Sequence, residues 1–369
     1  MKELNTVYKD LRKVKLRIAL CFPSTYEASI RTLTIHLIYF LLNSFDHVFV
    51  ERCVFTPRGE IRSIETGTLL KDFDVIAFSI SYELDYARAI NMLIRGGVEP
   101  RRKDREAGDP IIVAGGPAII QNPIPLEEFF DFFFVGELED YAEDFIQAIE
   151  EVKEKRDFRS LEKYEFLHIP SLGRRKVKKA FTRNLNEAFY PVRQIQPLEW
   201  KDFSFLLEIG RGCGWGCRFC QAGFIYRPLR ERGGKEILEI VREALGSTGY
   251  DEVSLLALSA GDHRCLFPLV RHLMEELEEE RIALSLPSLR TSKSLSSSSI
   301  CSSSWFSSAL LLVISSSSES FLLWRSSIPL SRVSCLVFRF STSFFSLATK
   351  SRSSPILSSN SSLSASFSS

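Results

Sequence analysis

Three cysteines on one short glycine-rich stretch are the residues of this 369-residue chain whose spacing is most specific for chemistry. Cys213, Cys217 and Cys220 follow the pattern C-x3-C-x2-C within RGCGWGCRFC, residues 211–220. Glycine lets a backbone turn tightly, so three thiolates of such a stretch can converge on one small inorganic body. Thiolates are soft ligands, which favours an iron–sulfur cluster or zinc over hard cations.

The number of cysteines leaves three interpretations open. Three local thiolates could hold a cluster in which one iron stays open to another molecule, because a [4Fe–4S] cluster of an electron carrier normally has four cysteines. A closed iron–sulfur or zinc site would need a fourth ligand, for which Cys265 and its neighbour His263 are the candidates. The third interpretation is that the thiols are inert. The open three-cysteine cluster is preferred.

At this stretch the sequence resembles the cluster motif of radical S-adenosylmethionine (radical SAM) enzymes, including an aromatic residue at the position of Phe219. The longer stretch RGCGWGCRFCQAGFIYRPLRER, residues 211–232, is similar to a branch of that family in which a cobalamin-binding-like domain precedes the radical SAM barrel. The resemblance covers about residues 1–290. Other segments that carry it are 114–140, 251–262 and 285–290.

The resemblance implies a [4Fe–4S] cluster held by Cys213, Cys217 and Cys220, with S-adenosylmethionine chelating the fourth iron through its amino and carboxylate groups. One electron from the reduced cluster would cleave the sulfonium, giving methionine and a 5′-deoxyadenosyl radical that takes hydrogen from a substrate. A one-electron reductant such as flavodoxin or ferredoxin is then an expected partner. The sequence identifies neither the substrate nor a catalytic residue.

The resemblance also implies contacts to S-adenosylmethionine. Phe219 would lie near the adenine, and Ser259, Ala260, Gly261 and Asp262 occupy the place of the family's Gly-Gly-Glu-like segment, which contacts the methionine amino group. A carboxylate such as that of Asp262 can accept hydrogen bonds from an ammonium group. The alternative is that Gly261 and Asp262 only form a turn.

Residues 14–155 alternate between buried-strand and helical patterns, which predicts five β–α units in a doubly wound, Rossmann-like parallel sheet. Ligands of such sheets bind beyond the carboxyl ends of the strands, where Gly115 and Gly116 would permit close approach of a cofactor. A tight strand-to-helix turn is the alternative for these two glycines. The predicted strands are 16–22, 47–55, 74–80, 109–114 and 131–135, and the predicted helices are 27–43, 82–94 and 138–155.

The N-terminal domain departs from the family's cobalamin pattern at one point. The usual D-x-H-x-x-G motif, whose histidine replaces the lower axial ligand of cobalt, is absent from the loop at residues 22–28. His36 lies inside the predicted first helix and is expected to be packed. Gly115, Gly116 and residues 79–81 keep the shape of the family's other binding segments. The domain therefore binds cobalamin without a protein axial ligand, binds another molecule or serves as a scaffold.

Four regions are predicted: a cobalamin-binding-like domain over 1–155, a linker over 156–200, a radical SAM core over 201–290 and a tail. The core supplies three βα units, the first half of a barrel. Phosphate contact is one interpretation of the basic run 174–179 in the linker, but a solvated loop or edge strand is preferred, so nucleic acid is not indicated. In the core, strands are predicted over 205–209, 252–258 and 282–286, and helices over 235–245 and 266–277.

The overall charge is nearly balanced, with 47 Lys and Arg against 46 Asp and Glu. This balance argues against a polybasic nucleic-acid coat and an acidic solvating tail. No secretory signal and no membrane-spanning run are recognised in the sequence, so a cytoplasmic protein is expected. Its eight cysteines are then expected to be thiols or metal ligands rather than disulfides.

The composition changes abruptly near residue 290. Residues 291–369 contain 34 serines, one acidic residue, six basic residues and no glycine. No fold is predicted for this tail. It is either a disordered low-complexity extension or, as preferred, the antisense translation of a gene rich in Glu, Lys and Arg codons, because Ser, Leu and Phe codons are rich in pyrimidines.

The antisense hypothesis is tested by the nucleotide sequence. We expect another frame or strand beyond codon 290 to encode further βα units that would complete the barrel. If no such units are encoded there, the hypothesis is wrong.

Overall fold

The computed structural model describes residues 2–173, 176–200, 203–247, 249–288, 310–316, 319–325 and 336–339. Within these ranges, two parallel α/β sheets account for most of the regular structure. The first is formed by the N-terminal half of the chain and the second by residues around the three cysteines. Two short antiparallel pairs and a separate antiparallel sheet complete the strands.

The N-terminal sheet has six strands in the order β3-β2-β4-β5-β6-β7. Its first five strands are parallel, and β7 joins the edge antiparallel to β6. The order reverses beside β2, as in a doubly wound sheet, which confirms the predicted fold class. The strands are β2 (Leu16–Phe22), β3 (Val48–Val54), β4 (Val75–Ser79), β5 (Ile111–Gly115), β6 (Phe132–Phe134) and β7 (Leu167–His168).

Helices cover both faces of this sheet, and the side chains of its strands enter two apolar clusters. The continuous apolar run of β2 fits this burial, because a parallel strand covered on both faces has no side exposed to solvent. The helices are α1 (Tyr26–Ile30), α2 (Leu33–Asn43), α3 (Tyr86–Arg95), α4 (Pro117–Gln121) and α5 (Ala142–Lys155).

The helix predicted over 27–43 is two helices in the structure, α1 and α2, and that prediction was wrong at the break. Hydroxyl groups explain the interruption. Ser29 Oγ donates to the carbonyl oxygen of Thr25, and Thr32 Oγ1 donates to that of Ser29. Such side-chain bonds compete with the backbone ladder of a helix.

The predicted linker, residues 156–200, packs against the N-terminal sheet. It supplies β7 and also β8 (Gln196–Pro197), which pairs antiparallel with β1 (Glu3–Leu4) near the start of the chain. Residues 176–179 of the basic run are described, and the next residue, Ala180, forms an isolated bridge with Gly136. Arg174 and Arg175 lie outside the described residues.

The second sheet contains three parallel strands in the order β13-β12-β9. Two helices connect these strands and bury the apolar faces that the sequence indicated, which confirms the partial (βα) arrangement. Between β9 and the first of these helices lie a short antiparallel pair and one turn of helix. The elements are β9 (Ser204–Glu208), β10 (Gly210–Arg211), α6 (Ala222–Ile225), β11 (Arg230–Glu231), α7 (Gly234–Ser247), β12 (Glu252–Leu256), α8 (Leu266–Glu280) and β13 (Ala283–Ser285).

Part of the serine-rich tail forms a three-stranded antiparallel sheet in the order β14-β15-β16. Each strand coincides with a short apolar cluster of the sequence, which explains why these positions pair although no fold was expected. The strands are β14 (Leu310–Ser316), β15 (Glu319–Arg325) and β16 (Leu336–Arg339). The rest of residues 289–369 lies outside the described residues.

None of the helices in the described ranges could cross a membrane. The longest of them, α8, has 15 residues, fewer than the roughly 20 that span a bilayer.

A buried ion pair links three parts of the N-terminal domain. The guanidinium of Arg52 on β3 is fully buried, and its Nε donates to Glu65 Oε1 at 2.7 Å. Its Nη1 and Nη2 donate to the carboxylate of Glu3 on β1. The ring of Tyr39 lies 5.2 Å from the same guanidinium. Arg52 therefore joins β1, α2 and β3.

His36 on α2 is completely buried, and hydrogen bonds occupy both ring nitrogens. Its Nε2 donates to the carbonyl oxygen of Ile30 at 2.9 Å, and its Nδ1 accepts from the N–H of Ile195 at 3.2 Å. Burial lowers the pKa of His36 to about 4 from an ordinary value of 6.5. The unfolded chain therefore binds a proton between these two values that the folded chain does not.

We expect acid to destabilise the protein through His36. As pH falls from 7 to 4, this residue alone should lower the free energy of unfolding by about 3 kcal/mol, since each pKa unit corresponds to about 1.4 kcal/mol. His36→Gln can keep both hydrogen bonds and should flatten this dependence in urea unfolding. The partly exposed His47 provides the control, His47→Gln, which should keep most of the slope. Equal slopes in wild type and His36→Gln would contradict the prediction.

Candidate functional site

The three cysteines lie on one loop whose two ends are joined by a short antiparallel strand pair. β10 and β11 pair antiparallel, with Arg211 opposite Arg230, so residues 212–229, the cysteine loop, begin and end side by side. Gly212 has φ +88°, and a Cβ there would lie 2.4 Å from the carbonyl oxygen of Pro228. Only glycine can therefore start the loop in this conformation.

The three thiols are free and partly exposed. The N–H of Cys220 donates to the carbonyl oxygen of Cys217 at 3.0 Å, which turns the chain between these two residues. Within the described ranges, no three His, Cys, Asp or Glu side chains are grouped closely enough to hold one metal ion. Three thiolates are soft ligands that suit an iron–sulfur cluster, in which each thiolate binds a different iron, and they also suit zinc.

His263, one of the two candidates for a fourth ligand, already uses both ring nitrogens. Its Nε2 donates to the carbonyl oxygen of Arg232 at 3.0 Å, and its Nδ1 accepts from the N–H of Cys265 at 3.3 Å. Metal binding by His263 would require one of these bonds to break. Cys265 is exposed at the start of α8 and remains the other candidate.

The segment Ser259–Asp262 follows β12 and lies against the cysteine loop. Asp262 Oδ2 accepts from Ser259 Oγ at 2.6 Å and from the indole N–H of Trp215 at 2.5 Å. A shallow cleft is lined by Cys213, Ser259 and Asp262 together. Ala260 to Asp262 form a single 3-10 turn, so the turn expected as the alternative is present and stands beside the loop. Trp215 was not singled out in the sequence, where only its place between two glycines could have indicated it.

Phe219 is not brought into this cleft. Its side chain is 81% exposed, and Phe224 on α6 is 53% exposed. The structure thus places Cys213 beside the Ser259–Asp262 segment and leaves the aromatic residue between the last two cysteines at the surface.

A cavity of about 400 Å³ lies between the carboxyl ends of the N-terminal strands and the start of the cysteine loop. Ser79, Gly115 and Gly116 line it on one side, and Arg211 and Gly212 line it on the other. Its remaining walls are mostly apolar and include Leu33, Leu37, Ile38, Pro117, Ile120 and Leu258.

Two observations bear on the predicted cofactor residues in this cavity. Gly116 has φ +108°, and a Cβ there would lie 2.5 Å from the carbonyl oxygen of Ile80, so the strand-to-helix turn itself requires this glycine. Ser79 is 5% exposed, and its Oγ has no hydrogen-bond partner. A buried hydroxyl without a partner costs free energy, so a ligand that bonds Ser79 Oγ would remove this cost.

Three carboxylates and two arginines surround the neck of the cysteine loop, which is the strand pair β10 and β11. Glu137 contacts Arg211 and Arg230, and Arg211 also contacts Glu139 and Glu208. Burial alone would raise the pKa of Glu137, but hydrogen bonds from Arg230 and the charges of both arginines hold it below its usual range. The carboxylate is therefore ionised at neutral pH. The two arginines were missed in the sequence because their partners are far away along the chain.

Comparison with known proteins supports the resemblance seen in the sequence. Residues 34–170 match the sequence profile of the family described as "Radical SAM proteins, N-terminal". This match confirms the predicted resemblance to radical SAM proteins.

A longer similarity joins this region to the cysteine loop. The chain is 31% identical over 281 residues to the uncharacterized protein MJ0966 of Methanocaldococcus jannaschii, which covers 75% of the chain and 56% of that protein. The chain therefore spans little more than half the length of this relative.

Two solved structures of the radical S-adenosylmethionine methyltransferase TsrM from Kitasatospora setae resemble the chain, each with a TM-score of 0.49. One contains cobalamin and a [4Fe–4S] cluster; it is 12% identical, and the match covers 74% of this chain and 54% of that one. The other contains tryptophan substrate and a SAM analogue; it is 13% identical, and the match covers 74% and 55%.

Gly212→Ala should loosen the cysteine loop. The new Cβ would clash with the carbonyl of Pro228 and force a left-handed conformation that costs roughly 1–2 kcal/mol for a non-glycine residue. We expect native-state proteolysis within residues 212–229 to accelerate on the order of tenfold. Gly214→Ala is the matched control, because its nearest neighbour would be Leu229 Cδ2 at an ordinary 3.7 Å. Equal cleavage rates in the two variants would contradict this account.

Proposed function

We propose that the protein is a radical SAM enzyme that uses a [4Fe–4S] cluster to cleave S-adenosylmethionine reductively and so starts radical chemistry on a substrate. The observation that carries the proposal is the cysteine loop. It presents three free thiols beside the end of a parallel strand, next to a carboxylate and the cavity between the two sheets. The family match of residues 34–170 supports it independently.

Cys213, Cys217 and Cys220 would hold the cluster, which when bound supplies an electron to the sulfonium. The residues of the chain would do the rest of the binding. Ser259 and Asp262 present oxygens that can accept hydrogen bonds from the amino group of the methionine moiety. Trp215 and Ser259 donate to the same oxygen of Asp262. The indole of Trp215 would therefore orient the Asp262 carboxylate toward the cysteine loop.

Cobalamin is the proposed occupant of the cavity. Parallel sheets bind ligands at the carboxyl ends of their strands, and there Ser79 offers a buried hydroxyl without a partner. The cavity of about 400 Å³ falls in the range of ligand pockets, but a cobalamin is larger and would project out of it. His36 cannot serve as an axial ligand without losing a buried hydrogen bond. A corrinoid would therefore bind without that protein ligand.

A reductant of one electron, such as a flavodoxin or ferredoxin, is the proposed partner for the cluster. The exposed side chains of Trp215, Phe219 and Phe224 place apolar surface around the cysteine loop where such a protein could approach.

The proposal is tested by anaerobic reconstitution with iron and sulfide. We expect iron–sulfur absorbance and, after reduction with S-adenosylmethionine present, 5′-deoxyadenosine. Single Cys213→Ala, Cys217→Ala and Cys220→Ala changes should abolish both, because each removes one thiolate of the cluster. Cys265→Ala is the control and should keep both.

Three outcomes would favour a non-catalytic iron–sulfur or zinc protein instead. Loss of the cluster in Cys265→Ala would indicate a closed site with a fourth thiolate. Binding of one zinc ion without iron–sulfur absorbance, or a stable cluster that yields no 5′-deoxyadenosine, would indicate a structural or electron-carrying site.

A further inference from the structure

We propose that Glu137 is a positioning residue that fixes the cysteine loop against the N-terminal sheet by holding both arginines at the loop's neck. The inference rests on the proposed function for its consequence, the orientation of a cluster. The physical link itself depends only on the contacts of this chain.

The carboxylate of Glu137 is surrounded by donors. Its Oε1 accepts from Arg230 Nη2 at 2.9 Å, and its Oε2 accepts from Arg230 Nη1 at 2.7 Å, so the ion pair is bidentate. Oε2 also accepts from Arg211 Nη1 at 3.0 Å and from the N–H of Thr182 at 3.0 Å. Glu137 and Arg230 are both buried, and charge-assisted bonds of this kind are the strong and directional ones.

The backbone fixes Glu137 at the end of β6. Gly136, the residue before it, has φ +139°, and a Cβ there would lie only 2.1 Å from the carbonyl oxygen of Ala180. The N–H of Glu137 donates to that same oxygen at 3.0 Å. Glycine therefore allows the strand end to run directly beside Ala180, and the carboxylate that follows is set rigidly on the sheet.

The two arginines are the residues that close the cysteine loop. Arg211 immediately precedes the loop and Arg230 immediately follows it, and the two face each other in the β10–β11 ladder. One carboxylate of the N-terminal domain thus holds both strands of the neck. Glu137 lies 74 residues from Arg211 and 93 from Arg230 along the chain, and the contact joins the segment after β6 to the β10–β11 ladder.

The two sides of the neck depend on Glu137 unequally. Arg211 keeps two other carboxylates, Glu139 and Glu208, if the charge of Glu137 is removed. In the contacts described for Arg230, its remaining hydrogen-bond partners are the backbone carbonyls of Pro228, Thr182 and Tyr226. Loss of the charge should therefore loosen the part of the loop that leads into Arg230 more than the part that follows Arg211.

The test compares Glu137→Gln with Glu65→Gln by hydrogen exchange and mass spectrometry on the cluster-free full chain. Glu65 is the matched control because it is also a buried carboxylate paired with an arginine of the same domain. We expect Glu137→Gln to speed exchange in residues 220–230 about tenfold or more, because hydrogen bonds to a charged group are among the stronger ones. Residues 212–217 should change less, and Glu65→Gln should leave the whole loop unchanged.

Arg230→Lys provides a second variant, which keeps the positive charge but cannot form the bidentate ion pair. It should speed exchange in the same residues 220–230, and circular dichroism should show that each variant is folded. Unchanged exchange in this segment in both Glu137→Gln and Arg230→Lys would overturn the proposal. Equal acceleration by Glu65→Gln would also overturn it, because the effect would then be general destabilisation.

The reconstituted protein allows a spectroscopic measurement that general destabilisation of the fold would not change. The electron paramagnetic resonance spectrum of the reduced cluster with S-adenosylmethionine should differ from wild type in Glu137→Gln and match it in Glu65→Gln. Identical spectra in all three proteins would overturn the positioning role. If wild type builds no cluster, the proposed function fails, and the exchange experiment alone decides this inference.

Discussion

The constraint on which the molecule depends is that parallel strands must be covered on both faces. Helices cover the N-terminal sheet on each side, which leaves the carboxyl ends of its strands as the edge open to a ligand. β9 and β12 end at the same cavity, through Glu208 and Leu256. The cavity exists because these strand ends meet, and the cysteine loop lies beside it for the same reason.

Burying charges where the cysteine loop meets the N-terminal domain costs solvation free energy, and the geometry of their hydrogen bonds offsets this cost. An ion removed from water loses several kcal/mol of solvation, and Glu137, Arg211 and Arg230 are all largely buried. The guanidinium groups use their planar forks on paired oxygens and on carbonyls. Such networks contribute little net stability but permit only one arrangement of partners. They suit a contact at which two parts of the chain must pack in one fixed orientation.

The sequence predicts the sheets and the cysteine loop better than it predicts their connection. Apolar runs such as Leu16–Phe22 and the C-x3-C-x2-C spacing are local patterns, and local patterns can be recognised along a chain. The break between α1 and α2 depends on single hydroxyl bonds, which compete with helical periodicity at the same residues. The contact of Glu137 with Arg230 spans 93 residues, and no periodicity records a pairing of that kind.

The cavity residues show a second limit of sequence patterns. Gly115 and Gly116 could be recognised as a strand-to-helix turn, but their sequence does not reveal that Gly116 is required by the backbone of Ile80. The same dipeptide serves the turn and lines the cavity, so the two interpretations weighed for it are compatible.

The two-residue ladder of β10 and β11 has a further consequence for how a cofactor could be assembled. It closes a loop of 18 residues, and closing a flexible loop of that length costs roughly 2–3 kcal/mol in chain entropy. Gly212, the ladder and the arginine contacts of the chain itself offset this entropy cost. A cluster bound by the loop would then need to spend less of its binding free energy on ordering the chain.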